Sequence, residues 1–137
     1  MGSTTSARLS LIARARLAAH IWRWFLVVRL RMNREPLPQL VARVGHPIRR
    51  RLDYQPPLRL SRAVDRSLRL GGWRPACLVN ALVLFRLLRE QGDMAELVIG
   101  LPASASDHIA HAWVEVLGVD VGPPPGRSQH TPLARFK

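Results

Sequence analysis

The chain has 137 residues, which is enough for one domain with its own hydrophobic core and for little more. Hydrophobic residues make up 47% and charged residues 22%, proportions that exclude a wholly disordered or low-complexity chain. Its single cysteine, Cys77, excludes an internal disulfide and a cysteine-rich zinc site. The formal net charge is +12, and the basic residues that produce it are unevenly distributed along the chain.

Positive charge is concentrated in the first part of the chain. Residues 1–76 hold 16 arginines against three acidic residues, a balance of +13, whereas residues 77–137 hold five basic residues against six acidic ones. We therefore expect a basic helical N-terminal region over residues 1–70 and a more neutral core with a proline-rich tail over residues 71–137. Because 20 of the 21 basic residues are arginine, composition alone accounts for much of the bias, and nucleic acid is not an expected partner.

A long helix is predicted over residues 10–32, with Leu11, Ala15, Trp22 and Leu26 on one side and arginines over much of the rest. Three roles stay open for it: packing on the domain behind it, docking to a partner protein, or peripheral contact with an acidic membrane surface. Charges interrupt its apolar stretch and no small-residue cleavage site follows, so neither a membrane span nor a secretory signal is expected. The expected location is the cytoplasm.

Two further helices are predicted in the basic region. A short one covers residues 40–44, and an amphipathic one over residues 58–70 carries apolar side chains at every fourth position until Gly71 and Gly72 stop it. Between them lies the run Arg49 to Arg51, either a solvated basic edge or a contact for an acidic peptide or phosphate.

The next helix carries the only cysteine. It is apolar and extends to a glycine C-cap at Gly92, and Pro75 suits its first turn, which also places Cys77 there. Unpaired N–H groups and the positive end of the helix dipole favour a thiolate at such a position, and the thiolate is the nucleophilic form of cysteine. Asn80, one turn later, is a weak candidate helper and is expected on a solvated edge.

Strands follow the cysteine helix. The pattern predicts strands over residues 95–101, 109–116 and 119–122, with a tight turn at Leu117-Gly118. Alternation within the second strand places His111, Trp113 and Glu115 on one face and small apolar residues on the other. The pattern does not decide which face meets Cys77. The proline run after Gly122 cannot continue a ladder and is expected to run extended, either as a wall of the site or as inert coil.

These elements together resemble the lasso-peptide leader peptidases, a group of transglutaminase-like cysteine proteases. The resemblance is carried by the cysteine helix ending in LLREQG, by AELVIGL at residues 95–101 and by AHAWVE at residues 110–115. It implies an α+β fold, a transglutaminase-like or papain-like core in which the cysteine helix packs on a small antiparallel sheet, with Cys77 as nucleophile and His111 as its base. No cluster of residues in the sequence has metal-ligand spacing, so neither a metal nor an organic cofactor is expected. The implied partners are the precursor's leader peptide, a small leader-recognition protein and the ring-closing enzyme.

The third catalytic residue departs from the family pattern. The family places an aspartate about a dozen residues beyond the histidine, where this chain has its proline run from Pro123. Asp120 is the candidate, although a simple hairpin sets it opposite Glu115 rather than His111. A backbone carbonyl or Asp107 are the alternatives for orienting the imidazole, and His108 is expected to be a surface residue.

Two other functions stay open. The same thioester chemistry would make the protein an acyltransferase if an amine rather than water accepted the acyl group. A non-catalytic basic module that binds a membrane surface or nucleic acid, with Cys77 as an inert core thiol, is the other alternative.

Overall fold

The computed structural model describes residues 11–46, 54–69, 77–102, 110–123 and 130–137. Four helices are followed by four strands, which is the α+β class predicted from the sequence. The helices are α1 (Leu11–Met32), α2 (Leu37–Val44), α3 (Pro57–Leu68) and α4 (Cys77–Glu90); the strands are β1 (Ala95–Pro102), β2 (His111–Val116), β3 (Val119–Gly122) and β4 (His130–Phe136).

The three helices of the basic region form where periodicity and prolines predicted them. Pro36 and Pro56 precede the first residues of α2 and α3, where a missing N–H costs no helical hydrogen bond. The buried residues of α3 recur every four positions and face the core. Several features singled out in the sequence lie outside the described residues: Arg49 to Arg51, the predicted region boundary after residue 70, Asp107 and His108.

Helix α4 is the centre of the fold. Helices α1, α2 and α3 pack against it, and so do β1 and β2. Eleven of its 14 residues are buried, which explains why its sequence is apolar all round. One expectation was wrong here: Asn80 is 7% exposed rather than on a solvated edge, because α4 is covered on several sides.

A buried ionic network joins the basic region to α4. Arg86 donates to Glu90 at 2.9 Å and to two backbone carbonyls at the end of α2, at 3.1 Å each. His20 of α1 lies 2.6 Å from the other Glu90 oxygen, and the Arg86 guanidinium stacks 4.2 Å from the Trp24 ring centroid. Burial by itself raises the pKa of Glu90, but the hydrogen bonds and charges of His20 and Arg86 outweigh burial and lower it.

The sheet has the strand order β3-β2-β1-β4, with each pair of neighbours antiparallel. Leu117 and Gly118 both adopt positive φ, 52° and 81°, in the two-residue turn that joins β2 to β3, as a tight hairpin requires. Strand β4, which pairs with β1 at the edge of the sheet, was not expected from the sequence. Residues 124–129, which include Pro124 and Pro125 of the proline run, lie outside the described residues.

The two faces of β2 have different neighbours. Ala112, Val114 and Val116 belong to the hydrophobic core that includes α4, so the small apolar face packs under the helix. His111, Trp113 and Glu115 alternate with them and lie on the other face of the strand. Among the helices of the described residues, none is long and apolar enough to cross a membrane.

Candidate active site

Cys77 is the first residue of α4, which confirms its predicted place in the first turn. Its thiol is free and half-buried. The first N–H groups of a helix have no acceptor within it, so the backbone here can donate to an anion formed beside the thiol.

His111 is the first residue of β2 and lies opposite Gly100 of β1. Its side chain is buried, and Nε2 lies 3.0 Å from the backbone carbonyl oxygen of Pro123. A carbonyl oxygen only accepts, so Nε2 must carry the hydrogen of this bond. The neutral ring then has its lone pair on Nδ1, which is the nitrogen left to act as a base.

The Pro123 carbonyl belongs to a residue at the sequence interval from His111 where the resemblance leads us to expect an aspartate. Pro123 follows His111 by 12 residues, the interval at which the resemblance led us to expect an acidic side chain. Among the described residues, a backbone carbonyl is the group that the structure places on the imidazole, whereas Asp107 lies outside the described ranges.

Asp120 lies farther along the hairpin. It pairs with Glu115 in the ladder, as the simple register predicted, and its Oδ1 accepts the Gly122 N–H at 2.8 Å. This bond fixes the residue next to Pro123, so Asp120 supports the backbone that reaches His111. Its role as third catalytic residue stays a prediction.

Aromatic side chains surround His111. Its ring lies 6.2 Å from the Trp113 ring at an interplanar angle of 22°, and 5.0 Å from His130 of β4. Trp113 is fully buried and lies over Gly100, where an added Cβ would come within 2.7 Å of the indole. His130 was missed in the sequence because β4, the strand that carries it, was not predicted.

A series of hydrogen-bonded polar side chains continues from the aromatic cluster along the same face of β2. Trp113 Nε1 donates to Glu115 at 2.8 Å, and Arg135 donates to the other Glu115 oxygen at 3.0 Å. The hydrogen bond to Glu115 raises the pKa of Arg135 further above its usual value. Glu115 is 1% exposed, and these two bonds satisfy a carboxylate that would otherwise be costly to bury. These hydrogen bonds therefore fix the Trp113 indole, which stacks on His111.

Cys77 and His111 are brought to the same end of the fold by its topology. A short connection of residues 91–94 turns α4 into β1, which packs against α4 and so runs back along it. Strand β2 is antiparallel to β1 and begins opposite Gly100, at the end where α4 begins. Within the described part of the chain no hydrogen bond joins Cys77 Sγ to the imidazole, which bonds to the Pro123 carbonyl and lies on the face of β2 away from α4.

An α+β fold with a cysteine at the start of its central helix and a histidine at the start of an adjacent strand is consistent with a transglutaminase-like domain. The family model of the Transglutaminase-like superfamily matches residues 9–135, nearly the whole chain. The protein therefore belongs to the Transglutaminase-like superfamily. No curated protein and no solved structure matches the chain.

Membership of this superfamily indicates the kind of reaction that the protein can catalyse. The superfamily consists in general of cysteine peptidases and acyltransferases, both of which pass through an acyl group on the cysteine sulfur. No three of the His, Cys, Asp and Glu residues in the described ranges converge to form a group that could hold a metal ion.

Proposed function

We propose that this protein is a cysteine peptidase that removes the leader from a ribosomally made lasso-peptide precursor. Cys77 is the nucleophile and His111 is the general base. The observation that carries the proposal is the hydrogen bond from His111 Nε2 to the Pro123 carbonyl, because it leaves the lone pair of the neutral ring on Nδ1, as a general base requires. The cysteine at the first residue of α4 and the AHAWVE motif on β2 support it.

The first half of the reaction forms a thioester. His111 Nδ1 takes the Cys77 thiol proton, and the thiolate attacks the carbonyl carbon that ends the leader. The backbone N–H of Cys77 donates to the oxyanion that forms. The imidazolium then gives its proton to the leaving amine, which becomes the new N-terminus of the core peptide, and the C–N bond breaks.

The second half releases the leader. His111 takes a proton from water, and the resulting hydroxide attacks the thioester carbonyl carbon. The C–S bond breaks, the leader leaves as a carboxylic acid and Cys77 recovers its proton. Throughout both halves, the Pro123 carbonyl keeps Nδ1 aimed at the reaction by holding Nε2–H.

The proposal includes partners. A small leader-recognition protein presents the precursor, and a separate ring-closing enzyme acts on the freed core peptide. The reaction is placed in the cytoplasm, where precursors of this kind are made.

The test is cleavage of a panel of synthetic lasso-peptide precursors, each supplied with the recognition protein of its own pathway and followed by intact mass. We expect at least one precursor to be cleaved at the leader–core junction by the parent protein, and not by Cys77→Ala or His111→Ala. An exposed-histidine variant, His46→Ala, is the matched control and should cleave normally. Failure of the parent to cleave any precursor of the panel contradicts the lasso-peptide assignment.

Acyl transfer is separated from hydrolysis in the same assay. Cleavage in H₂¹⁸O with added glycine ethyl ester gives a leader carrying one ¹⁸O if water is the acceptor. A leader carrying the amine in place of ¹⁸O supports the acyltransferase alternative.

A further inference from the structure

A basic groove lies between α1 and α3, apart from Cys77 and His111. It encloses about 760 Å³. Its charged and polar walls come from Arg14 of α1, from three arginines and an aspartate of α3, and from a glutamine just before α3: Arg59, Arg62, Asp65, Arg66 and Gln55. We call these six residues the basic groove.

The arginines of the basic groove have no ion-pair partner among the residues that the structure describes. By contrast, Arg31, Arg43 and Arg86 each bind a carboxylate. The one acid of the groove, Asp65, is held at 2.9 Å by Arg69, which does not line the groove. Within the described ranges, four arginines therefore line one concave surface that holds a single carboxylate, Asp65, already paired with Arg69.

Gln55 adds a second, independent feature. Its side chain lines the groove and is 7% exposed, and none of the described residues donates a hydrogen bond to its buried Oε1. Its backbone is fixed by the Gln91 side chain, which accepts from the Gln55 N–H at 3.2 Å and donates to its carbonyl at 2.7 Å. A buried acceptor left unsatisfied is costly, so this oxygen calls for an N–H donor from a ligand.

We propose that the basic groove binds an acidic peptide segment. Its carboxylates pair with the arginines, and one of its backbone N–H groups donates to Gln55 Oε1. The phosphodiester groups of nucleic acids and lipids would bring only acceptors to that oxygen, which is why a peptide is favoured. Binding in the groove does not use Cys77. The proposal therefore rests on the proposed function only where it identifies the peptide as part of the precursor or of its recognition protein.

The test is direct binding by the full-length protein with Cys77→Ala, which separates binding from cleavage. The probe is a fluorescein-labelled ten-residue peptide of alternating Glu and Ala, followed by fluorescence anisotropy at low salt. The test variant is Arg62→Gln with Arg66→Gln. The matched control is Arg23→Gln with Arg29→Gln, which removes the same charge from exposed positions of α1 outside the groove.

We expect the groove variant to weaken binding about tenfold or more and the control about twofold or less. Gln55→Met should weaken binding several-fold while leaving the melting temperature unchanged or raised, because it removes an unsatisfied buried acceptor.

Equal losses in the groove variant and the control overturn the proposal, since binding would then follow net charge alone. Tighter binding of a ten-nucleotide oligothymidylate or of phosphatidylserine vesicles, lost in the same groove variant, also overturns it in favour of a phosphate ligand. If the groove binds the peptide but the parent protein cleaves no precursor, the binding proposal is supported and only the proposed function is contradicted.

Discussion

At the scale of single residues, the group that bonds to His111 is a backbone carbonyl rather than the aspartate that the resemblance led us to expect. A carbonyl oxygen fixes the ring tautomer as a carboxylate does, but it brings no negative charge to the imidazolium formed during catalysis. The position of that carbonyl depends on the hairpin end, where Asp120 holds the Gly122 N–H. The two possible roles of Asp120, support of the backbone and direct charge on His111, respond differently to substitution.

The first prediction separates those roles. Asp120→Asn keeps an oxygen able to accept the Gly122 N–H and should retain cleavage within about threefold, whereas Asp120→Ala removes the acceptor and should lower kcat about tenfold. The measurement is kcat on a precursor, with thermal melting to check that both variants fold. A loss in Asp120→Asn as large as that in Asp120→Ala would instead assign the carboxylate a direct catalytic role.

At the scale of elements, the site depends on a close approach between β1, β2 and β4. Gly100 leaves room for the Trp113 indole above it, and a Cβ there would come within 2.7 Å of both the ring and the Thr131 carbonyl oxygen of β4. The second of these contacts is with backbone, which cannot rotate away as a side chain does.

The second prediction follows from that contact. Gly100→Ala should destabilise the protein by about 2 kcal/mol and lower activity further, because the indole that stacks on His111 must shift. Urea unfolding measures the first effect and precursor cleavage by the folded fraction measures the second. Unchanged unfolding midpoints would show that the strands are not packed this closely.

The buried ionic network is the link between the basic region and α4. One carboxylate oxygen of Glu90 bonds to His20 and the other bonds to Arg86, and these contacts lower the pKa of Glu90 despite its burial. A carboxyl whose pKa is lower in the folded state stabilises folding above its unfolded value of 4.5, and the contribution is lost as pH falls through the folded value.

The third prediction uses that pH dependence. Glu90→Gln should cost about 3 kcal/mol at pH 7, because it leaves a buried arginine without its counter-charge, and the difference from the parent should shrink as pH falls below 4.5. Denaturant unfolding from pH 7 to pH 3 measures it. Asp65→Asn, which breaks an exposed pair, is the control and should cost less than about 1 kcal/mol. A pH-independent difference between the parent and Glu90→Gln would contradict the network's role.

At the scale of the whole molecule, local patterns predicted most of the fold. The four helices and β1 to β3 follow from hydrophobic periodicity, prolines and the turn at Leu117-Gly118, all of which act within a few residues. Strand β4 was missed because Pro132 interrupts its pattern and its partner, β1, lies some 35 residues away in sequence. Long-range pairing of this kind is not encoded in local periodicity.

The side chains of the candidate site could be predicted from the sequence, but its backbone group could not. Cys77 and His111 carry their chemistry in their side chains and in the motifs around them, so the sequence reveals them. The Pro123 carbonyl belongs to the backbone, which every residue has, and only its contact with His111 distinguishes it. The basic groove was hidden for another reason: its arginines come together only when α1 packs beside α3.

The central claim, that His111 activates Cys77, is tested most directly by alkylation of the native protein with iodoacetamide at pH 7, followed by intact mass. Cys77 is the only thiol, so each mass increase reports one site. The account predicts faster reaction than N-acetylcysteine and a loss of about tenfold or more in a folded His111→Ala variant, with His46→Ala unchanged. Equal rates in the parent and His111→Ala would contradict it.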